Sequence, residues 1–370
     1  MSTVGRRDGS APAASAVAAR LREAGFVRLL AAADGGALAA VGVLADALGD
    51  AGVPYQASVV PRPDDGASAT EADCVLALGR ESGAADLSLA EAPASGPAYG
   101  AARELGDPDP VLGLAGVLAA GDVPEGQILE DARAAGIERR PGVGVPTDDP
   151  AEGLAHSTLV HGPFSGDTEA ARELLADAES HDADDRRRVA SLVALAVAGD
   201  PESTARGAEA VQRVLRPYAG GPFGTVAGYA DVLDAVARER PGLGVTLALG
   251  TGDRERALAV WRDHGRRAHE AIRSATTGRY DGLFVARVPE GTPVGTVARL
   301  LWEFRSPEPA VLVVAERRAA TVGPDEADLG AAMAEAATAV GGTGDGTPSR
   351  ARARFDGDPA AFVLAFREAR

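Results

Sequence analysis

Residues 26–60 constrain the fold more than any other part of the chain. The stretch begins with an apolar run, turns at Asp34-Gly35-Gly36, continues with the apolar periodicity of a helix over residues 37–48, and ends in a second short strand signal over residues 55–60. Strand, turn, helix and strand within about 35 residues is the length of one βαβ unit. Because ligands bind at the carboxyl ends of strands in open α/β sheets, we expect Asp34 to lie where chemistry takes place.

The same alternation continues along the chain and predicts an α/β protein with two domains. A chain of 370 residues exceeds the size at which a single hydrophobic core keeps growing. Residues 73–78 indicate a further buried strand, and Asp109-Pro110 marks the start of a helix over residues 111–120. The second half is predicted as helix 226–238, strand 242–249, helix 253–276, strand 283–287, helix 294–304, strand 310–315 and helix 325–340.

The charge composition limits the kinds of partner. The net charge is −17 and every basic residue is arginine, which is typical of a protein that stays soluble in concentrated salt and disfavours nonspecific attraction to nucleic acid. We expect a cytoplasmic protein, because no apolar run approaches the roughly 18 residues of a membrane span and residues 1–15 lack the apolar core of a signal peptide. The single cysteine, Cys74, lies in an apolar run and is expected to be buried.

Several segments resemble the DHH phosphoesterase superfamily, in particular its archaeal RecJ-like branch. The first family motif reads His-x-Asp-x-Asp-Gly, and its positions fall on Leu30, Ala32 and Asp34. Residues 154–158 (Leu-Ala-His-Ser-Thr) and 163–167 (Pro-Phe-Ser-Gly-Asp) are similar to Leu-Ala-Tyr-Ser-Thr and Pro-Gly-Leu-Ser-Gly-Asp of the archaeal branch. Residues 231–235 and 240–244 look like the family segments Leu-Leu-Asn-Ala-x-Gly-Arg and Arg-Pro-Gly-x-Gly.

The resemblance implies two α/β domains that face each other across a cleft. A degenerate DHH domain with a parallel sheet would span residues 16–140. A mostly helical connector would follow over residues 141–217, and a DHH-associated domain would span residues 218–370.

The family's metal ligands are mostly missing from this chain. The superfamily hydrolyses phosphodiesters with two divalent ions, which several carboxylates and imidazoles must hold together. Asp34 is the sole retained ligand, and Asp122 or Glu91 would serve only if the register shifted. The other ligand positions carry side chains without a donor atom: Leu30, Ala32, Gly79, Ala90, Ala92 and Ala120. We therefore predict no catalytic residue and no cofactor, with Mn or Mg as the alternative. Asp34 is predicted to cap the following helix rather than to bind a lone cation.

The C-terminal region supplies the candidate nucleic-acid contacts. Residues 341–347 correspond to the glycine-rich loop of the DHH-associated domain, with Thr347 in place of its histidine. The resemblance implies that backbone amides of this loop approach a phosphate. Arg350, Arg352 and Arg354 alternate along a predicted strand, which places them on one face. An exposed edge strand is favoured over a row of arginines that faces phosphate. The candidate nucleic-acid-binding residues are Gly341, Gly342, Gly344, Gly346, Arg350 and Arg352.

The histidines do not form a recognisable metal motif. His156 and His161 are five residues apart, which fits neither one face of a helix nor a common zinc pattern, so we expect loop histidines that bond to the backbone. His264 and His269 are expected on the solvent face of the long helix 253–276.

Three functions remain open. The first is a catalytically degenerate RecJ-like subunit in DNA replication or repair, since the eukaryotic relative that joins GINS and the MCM helicase is likewise a degenerate DHH protein. Its partners would be GINS, the MCM helicase or an active RecJ-like paralogue. The second is an active metal-dependent, single-strand-specific 5′–3′ exonuclease or phosphodiesterase. The third is a protein that binds single-stranded nucleic acid without cutting it.

Overall fold

The chain divides into two compact units. The structure is a computed structural model that describes residues 12–60, 71–90, 93–176, 178 and 183–370. One unit comprises Met1–Arg139 and Tyr218–Trp261, and the other comprises Arg140–Pro217 and Arg262–Arg370. This division differs from the expected single domain over residues 218–370, because residues 218–261 pack with the N-terminal segment. The expected connector, residues 141–217, belongs to the second unit.

The elements alternate along most of the chain. The strands are β1 (Val27–Ala31), β2 (Tyr55–Val59), β3 (Cys74–Leu78), β4 (Leu87–Leu89), β5 (Glu138–Arg139), β6 (Tyr218–Ala219), β7 (Thr276–Tyr280), β8 (Leu283–Arg287), β9 (Ala310–Val314), β10 (Arg318–Val322), β11 (Thr343–Gly346) and β12 (Arg350–Arg354). The helices are α1 (Ala14–Glu23), α2 (Gly35–Asp50), α3 (Ser95–Arg103), α4 (Pro110–Ala120), α5 (Gly126–Ala134), α6 (Pro150–His156), α7 (Thr168–Leu174), α8 (Ala183–Ala198), α9 (Ala205–Ala210), α10 (Val226–Glu239), α11 (Pro241–Ala248), α12 (Arg254–Ser274), α13 (Val294–Phe304), α14 (Leu329–Ala339) and α15 (Pro359–Ala369).

A parallel sheet in the order β2-β1-β3-β4 forms the centre of the first unit. Strand β1 lies between β2 and β3, with Leu29 opposite Ala57 on one side and Leu76 on the other. The expected β1-α2-β2 unit is therefore confirmed, and Cys74 is buried in β3 as expected. Asp34 follows β1 at the carboxyl edge of this sheet.

Helix α2 is apolar on nearly every side because other elements of the first unit surround it. It packs against α3, α4, α10 and α11 as well as the sheet. The absence of a side chain at Gly42 permits the contacts with α4 and α11, since a Cβ there would lie 2.3 Å from Leu112 Cδ2 and 2.5 Å from the Ala248 carbonyl oxygen. This tight packing holds the start of α2, and with it Asp34, in a fixed place relative to α4 and α10.

One predicted strand of the first unit is wrong. Residues 242–249 were expected to be extended, but Pro241–Ala248 forms helix α11. Proline at the first helical position presets the backbone dihedral of a helix, and a short apolar run does not distinguish a strand from a buried helix by periodicity. Strand β8 and helix α13, in the second unit, have the predicted bounds.

A mixed six-stranded sheet in the order β11-β12-β10-β9-β8-β7 forms the second unit. Only the β8–β9 pair is parallel; the other neighbours are antiparallel. Alternate residues of β9 face two separate cores: Val311 and Val313 pack in a cluster with α13, while Leu312 and Val314 pack in a cluster with α14 and α15. The sheet is therefore covered by helices on both faces, as its largely apolar central strands require.

Helices of the described residues are too short or too polar to cross a lipid bilayer.

Candidate functional site

Asp34 lies between β1 and α2 and caps the helix, as expected. Its backbone is extended, and its carboxylate Oδ1 accepts a hydrogen bond of 2.8 Å from the Ala37 N–H. This bond satisfies one of the N–H groups that have no partner inside the first turn of a helix. The retained family aspartate therefore has a structural role in this chain.

A second carboxylate reaches the same helix terminus from α10. The Gly35 N–H donates to Asp234 Oδ1 at 3.0 Å, although the two residues are far apart in sequence. The Arg238 guanidinium group donates two hydrogen bonds of 2.9 Å to the two oxygens of Asp234. We call Asp34, Asp234 and Arg238 the α2-start cluster.

The charges of the α2-start cluster are partly balanced. Burial raises the pKa of Asp34, and the Ala37 N–H and the Arg238 guanidinium group oppose that shift without cancelling it. Burial lowers the pKa of Arg238, but the carboxylates of Asp234 and Asp34 outweigh it, so the pKa lies above its ordinary value. One guanidinium group thus stands beside two carboxyl groups, which removes much of the excess negative charge that a divalent cation would need.

The positions that resemble metal-ligand positions do converge on Asp34, but they carry no ligand. A Cβ on Gly79 would lie 3.2 Å from the Ala32 Cβ and 3.4 Å from Asp34 Oδ2. A Cβ on Gly36 would lie 3.5 Å from Asp34 Oδ1 and 3.9 Å from the Ala120 Cβ. The resemblance matches Ala32, Gly79 and Ala120 with ligand positions, and none of these three residues has a donor atom in its side chain.

The remaining candidate ligands do not complete a site. Leu30 is buried, and Asp122 is exposed beyond the end of α4, where its backbone N–H bonds to the Val117 carbonyl oxygen at 3.2 Å. Ala90 is described, whereas Glu91 and Ala92 lie outside the described residues. Within the described ranges, no three His, Cys, Asp or Glu side chains are grouped so that they could hold a metal ion. The described residues around Asp34 therefore do not fit a pair of divalent cations.

The C-terminal glycines are explained by close packing of strand β11. A Cβ on Gly342 would lie 2.2 Å from the Arg354 carbonyl oxygen, and one on Gly346 would lie 2.3 Å from the Arg350 carbonyl oxygen. A Cβ on Gly344 would lie 2.5 Å from the Met333 carbonyl oxygen in α14. Gly341 has a positive φ of 75° in the turn that precedes the strand. The expected loop is thus largely a strand, and its glycines allow it to lie against β12 and α14.

The arginines of β12 share one face, as predicted, but they are not on an edge. Arg350 and Arg354 are exposed and Arg352 is half-buried, while the alanines between them are buried. Strand β12 pairs with β10 on one side and β11 on the other, so the expected edge position is wrong. Arg352 Nε lies 3.2 Å from Asp345 Oδ1 of β11.

Buried histidines in the second unit form a site that the sequence interpretation missed. His264 and His269 of α12 are 1% and 0% exposed, so their expected place on the solvent face is wrong. His269 Nε2 lies 2.9 Å from the Ser157 carbonyl oxygen, and its Nδ1 lies 3.1 Å from the Nδ1 of His161. His264 Nε2 lies 2.9 Å from the Thr296 hydroxyl oxygen. His156 bonds to the backbone as expected, through Nδ1 to the Glu152 carbonyl oxygen, but it ends helix α6 and does not lie in a loop. The backbone hydrogen bond expected of His161 is wrong, because its Nδ1 meets His269 instead.

The hydrogen bonds fix the protons of the His161–His269 pair. A carbonyl oxygen can only accept, so Nε2 of His269 carries the proton and its Nδ1 accepts one from Nδ1 of His161. Burial lowers the pKa of His269 to about 4 and lowers the pKa of His161 well below its ordinary value. Nε2 of His161 is buried and has no hydrogen-bond partner among the described residues. The pair is neutral and fastens α12 to residues 157–161.

The spacing of small and aromatic residues along α12 identifies the face of the helix that is buried. Ala257, Trp261, His264, Ala268 and Ala271 follow one another at intervals of three or four residues, and all are buried. Such spacing places side chains on one face of a helix. His264 is therefore part of an apolar stripe, although the many arginines of this helix obscure it.

Comparison with known proteins identifies relatives over the whole chain. The "Uncharacterized protein rrnAC1427" of Haloarcula marismortui is 54% identical over 375 residues, which covers 100% of both chains. The family profile described as "Uncharacterized protein rrnAC1427, C-terminal domain" matches residues 275–368. The chain belongs to the rrnAC1427 family.

Solved structures relate the rrnAC1427 fold to that of RecJ-like DHH proteins. The crystal structure of CDC45 from Entamoeba histolytica has a TM-score of 0.56 and 10% identity, with 96% of this chain and 97% of the CDC45 chain covered. A structure of exonuclease RecJ bound to manganese has a TM-score of 0.49 and 16% identity, over 97% of this chain and 94% of the other. The expected RecJ-like DHH fold, with a parallel N-terminal sheet and a separate C-terminal sheet, is confirmed.

Proposed function

We propose that this RecJ-like DHH protein does not cleave phosphodiester bonds and serves as a non-catalytic subunit in DNA replication or repair. One observation supports the proposal most directly: Ala32 and Gly79, which the resemblance matches with metal-ligand positions, lie beside Asp34 and offer no donor atom. Hydrolysis by two metal ions needs ligands that hold both ions and activate a water molecule. A single carboxylate that caps a helix does not meet that need.

The neighbouring carboxylate does not compensate for the missing ligands. Both oxygens of Asp234 already accept hydrogen bonds from Arg238, and Oδ1 also accepts one from the Gly35 N–H. A metal ion at this point would displace those donors and stand next to the Arg238 guanidinium group. The electrostatic arrangement therefore opposes cation binding.

A nuclease assay separates this proposal from the active-exonuclease alternative. Purified protein would be incubated with labelled single-stranded DNA and RNA in Mn²⁺ or Mg²⁺, over a series of salt concentrations. We expect no release of nucleotides. A contaminating nuclease would release nucleotides equally in the wild-type and Asp34→Ala samples. Metal-dependent release from the wild-type chain that disappears in Asp34→Ala would contradict the proposal.

The proposed partners follow from the fold. Similarity to CDC45 supports association with replication proteins, so GINS, the MCM helicase and an active RecJ-like nuclease are the partners that we propose. A net charge of −17 and the Haloarcula relative support a protein of concentrated salt. A tagged chain should therefore be isolated from its native cells at native ionic strength and its partners identified by mass spectrometry. Recovery of the tagged chain without any replication or repair protein would contradict the subunit role.

Binding of single-stranded nucleic acid is a second candidate, which the arginine face of β12 favours. The side chains of Arg350, Arg352 and Arg354 lie on one face of the strand, and two of them are exposed. Arg350→Ala combined with Arg352→Ala should then weaken binding and lower the dependence of log K on log salt by about one for each phosphate that is no longer neutralised. Arg187→Ala combined with Arg188→Ala on α8 makes the same change in charge and should have no such effect. Equal losses in both double variants would exclude a site on β12.

A further inference from the structure

Strand β7 is an uncovered edge of the six-stranded sheet in the second unit. It is the last strand in the sheet order and, in the part of the chain that the structure describes, it pairs only with β8. Four of its five residues are exposed, and Gly278 is half-buried. A row of unpaired backbone N–H and C=O groups on such a strand is a template for a further strand. We call Thr276–Tyr280 the β7 edge.

The β7 edge lacks most of the features that keep exposed strands from pairing. It contains no proline or lysine, and each of its residues lies opposite one residue of β8, so no bulge interrupts it. Its charged side chain, Arg279, is directed to its own chain, where it donates hydrogen bonds of 3.1 and 2.9 Å to Glu308 Oε1. The strand is therefore regular, and its positive charge is balanced locally.

The hairpin turn determines which backbone groups of the β7 edge point outward. Tyr280 and Leu283 flank a two-residue turn, and the residues on either side of such a turn form a hydrogen-bonded pair. Hydrogen-bonded and non-hydrogen-bonded pairs alternate along antiparallel strands. Gly278 therefore bonds to β8, whereas the N–H and C=O groups of Thr277 and Arg279 point away from β8. These groups can pair with a further strand.

Gly278 is not explained by packing within the chain. Its φ is not positive, and a Cβ there would meet only the Tyr280 ring, at 3.5 Å, which is ordinary van der Waals contact. Glycine in the interior of a strand weakens the strand and often marks a place where another backbone approaches closely. This glycine is therefore a sign, separate from the exposure of the strand, that a second chain passes β7 here.

We propose that the β7 edge pairs with the β7 edge of a second copy of this chain, antiparallel and across a two-fold axis at Gly278. Thr277 of each copy then lies opposite Arg279 of the other, and the two residues exchange both of their outward backbone hydrogen bonds. No arginine lies opposite an arginine in this register. Tyr280 lies opposite Thr276, and pairs of aromatic and β-branched residues stabilise neighbouring strands. The two sheets become one continuous sheet.

The side chains around Tyr280 favour a second copy over an unrelated strand. Tyr280 is 39% exposed and Leu364 of α15 is 53% exposed. The Arg367 guanidinium group lies 4.0 Å from the centroid of the Tyr280 ring, and Leu364 precedes Arg367 by three residues on the same face of α15. Because the Tyr280 ring lies over Gly278, the two-fold axis brings the rings of both copies together and covers their exposed surface.

Analytical ultracentrifugation of the intact chain tests for the dimer. The measurement covers a range of protein concentrations in molar KCl, where the Debye length is about 3 Å and the repulsion between two chains of net charge −17 is screened. We expect the mass to rise with concentration from 37.4 kDa to twice that value. A monomer at every concentration, or assemblies that grow beyond a dimer, would overturn the proposal.

A proline at position 277 tests whether the outward backbone groups form the interface. The Thr277 N–H points away from β8, so Thr277→Pro spares the β7–β8 pair and removes one donor from the outer side of each copy. We expect the dissociation constant of the dimer to rise about tenfold, since two hydrogen bonds are lost per dimer. Thr277→Ala keeps the donor and should leave the constant unchanged, and circular dichroism should show that both variants fold. Equal dissociation constants in the two variants would overturn the proposal.

A disulfide across the axis tests the register. The two Gly278 residues would form a non-hydrogen-bonded pair with Cα atoms about 4.5 Å apart, which a disulfide can span. Gly278→Cys should therefore give a covalent dimer on oxidation with copper phenanthroline, and the native Cys74 is buried. Thr276→Cys is the matched control on the same face, because its two copies would be offset by about 13 Å along the strands. Equal cross-linking in both variants, or none in Gly278→Cys, would exclude this register.

Discussion

Asp34 and Asp234 share the start of helix α2. Asp34 accepts the Ala37 N–H at 2.8 Å and Asp234 accepts the Gly35 N–H at 3.0 Å, so two carboxylates from distant parts of the chain satisfy the same helix terminus. Both interactions are structural, and both use oxygens that a metal site would need. The cluster therefore predicts that its residues affect folding stability more than any reaction.

Replacing Asp34 should separate its capping role from its charge. Asp34→Ala removes the acceptor of the Ala37 N–H and should lower the free energy of unfolding by about 1 kcal/mol. Asn keeps a side-chain oxygen at this position, so Asp34→Asn should be at least as stable as wild type at pH 7. The measurement is urea unfolding of both variants followed by circular dichroism.

The pH dependence of the stability of Asp34→Asn, compared with wild type, tests the direction of the pKa shift of Asp34. The pKa of Asp34 is higher in the folded chain than its ordinary value of 3.8, so the folded chain holds the proton more tightly. Wild-type stability therefore falls relative to Asp34→Asn as the pH rises from about 4, and the difference disappears in acid. A wild type that gains stability over Asp34→Asn as the pH rises would show that the carboxylate is favoured in its charged form.

The Asp234–Arg238 ion pair should contribute modestly. The side chains are 14% and 35% exposed, so solvent screens much of their attraction. Asp234→Ala should lower the free energy of unfolding by about 1 to 2 kcal/mol because it also leaves the Gly35 N–H without its acceptor. A double-mutant cycle with Arg238→Ala should give a coupling energy below about 1 kcal/mol. A coupling several times larger would mean that the pair is effectively buried.

The buried histidine pair predicts a loss of stability in weak acid. The pKa values of His161 and His269 are lower in the folded chain than the ordinary value of 6.5, that of His269 being about 4. The unfolded chain therefore binds protons first as the pH falls below about 6.5. Below about pH 6.5 each histidine should lower the free energy of unfolding by up to about 1.4 kcal/mol per pH unit, and His269 should continue to do so down to about pH 4.

Urea unfolding between pH 7 and pH 5 measures this loss, and NMR assigns it. The ring signals of His161 and His269, identified by single substitution, should not titrate between pH 7 and pH 5.5. His161→Gln removes one titrating group and should make the pH dependence shallower. Ring signals that shift with a midpoint near 6.5 would contradict the neutral, hydrogen-bonded pair.

The close packing of β11 predicts that replacing its glycines lowers the stability of the folded chain. Gly344→Ala places a methyl group 2.5 Å from the Met333 carbonyl oxygen, so α14 or β11 must move, and the free energy of unfolding should fall by about 1 to 3 kcal/mol. Gly242→Ala is the matched control, since that helical position has open space around it and alanine favours helix. Thermal unfolding of both variants gives the comparison. Equal melting temperatures would show that β11 is loosely packed.

Local rules predict the centre of the first unit well. The β1-α2-β2 stretch combines short strand signals, the apolar periodicity of a helix, a capping aspartate and a glycine pair. Each of these signals favours the same structure. The apolar octamer of α11 lacks such agreement, and the proline at its start is the deciding feature. Short-range sequence patterns therefore predict the secondary structure correctly where several of them agree. They fail where a single pattern is the only guide.

Long-range contacts explain the features that local patterns do not predict. Segment 231–235 resembles a family motif, but nothing in it shows that Asp234 meets Gly35. The burial of His269 depends on residues 157–161, which lie more than 100 positions away. The interior place of β12 depends on β11, whose glycines are equally typical of a ligand loop. In each case the deciding partner comes from another part of the chain.

The discontinuity of the first unit has a consequence for biosynthesis. Helix α2 is surrounded in part by α10 and α11, and the acceptor of its Gly35 N–H arrives only with Asp234. A nascent chain that has left the ribosome up to residue 139 can already pack α2 against the sheet, α3 and α4, but the face of α2 that α10 and α11 cover is still exposed. Residues 140–217 must be synthesised before that cover emerges, and a chaperone has its clearest reason to act during this interval.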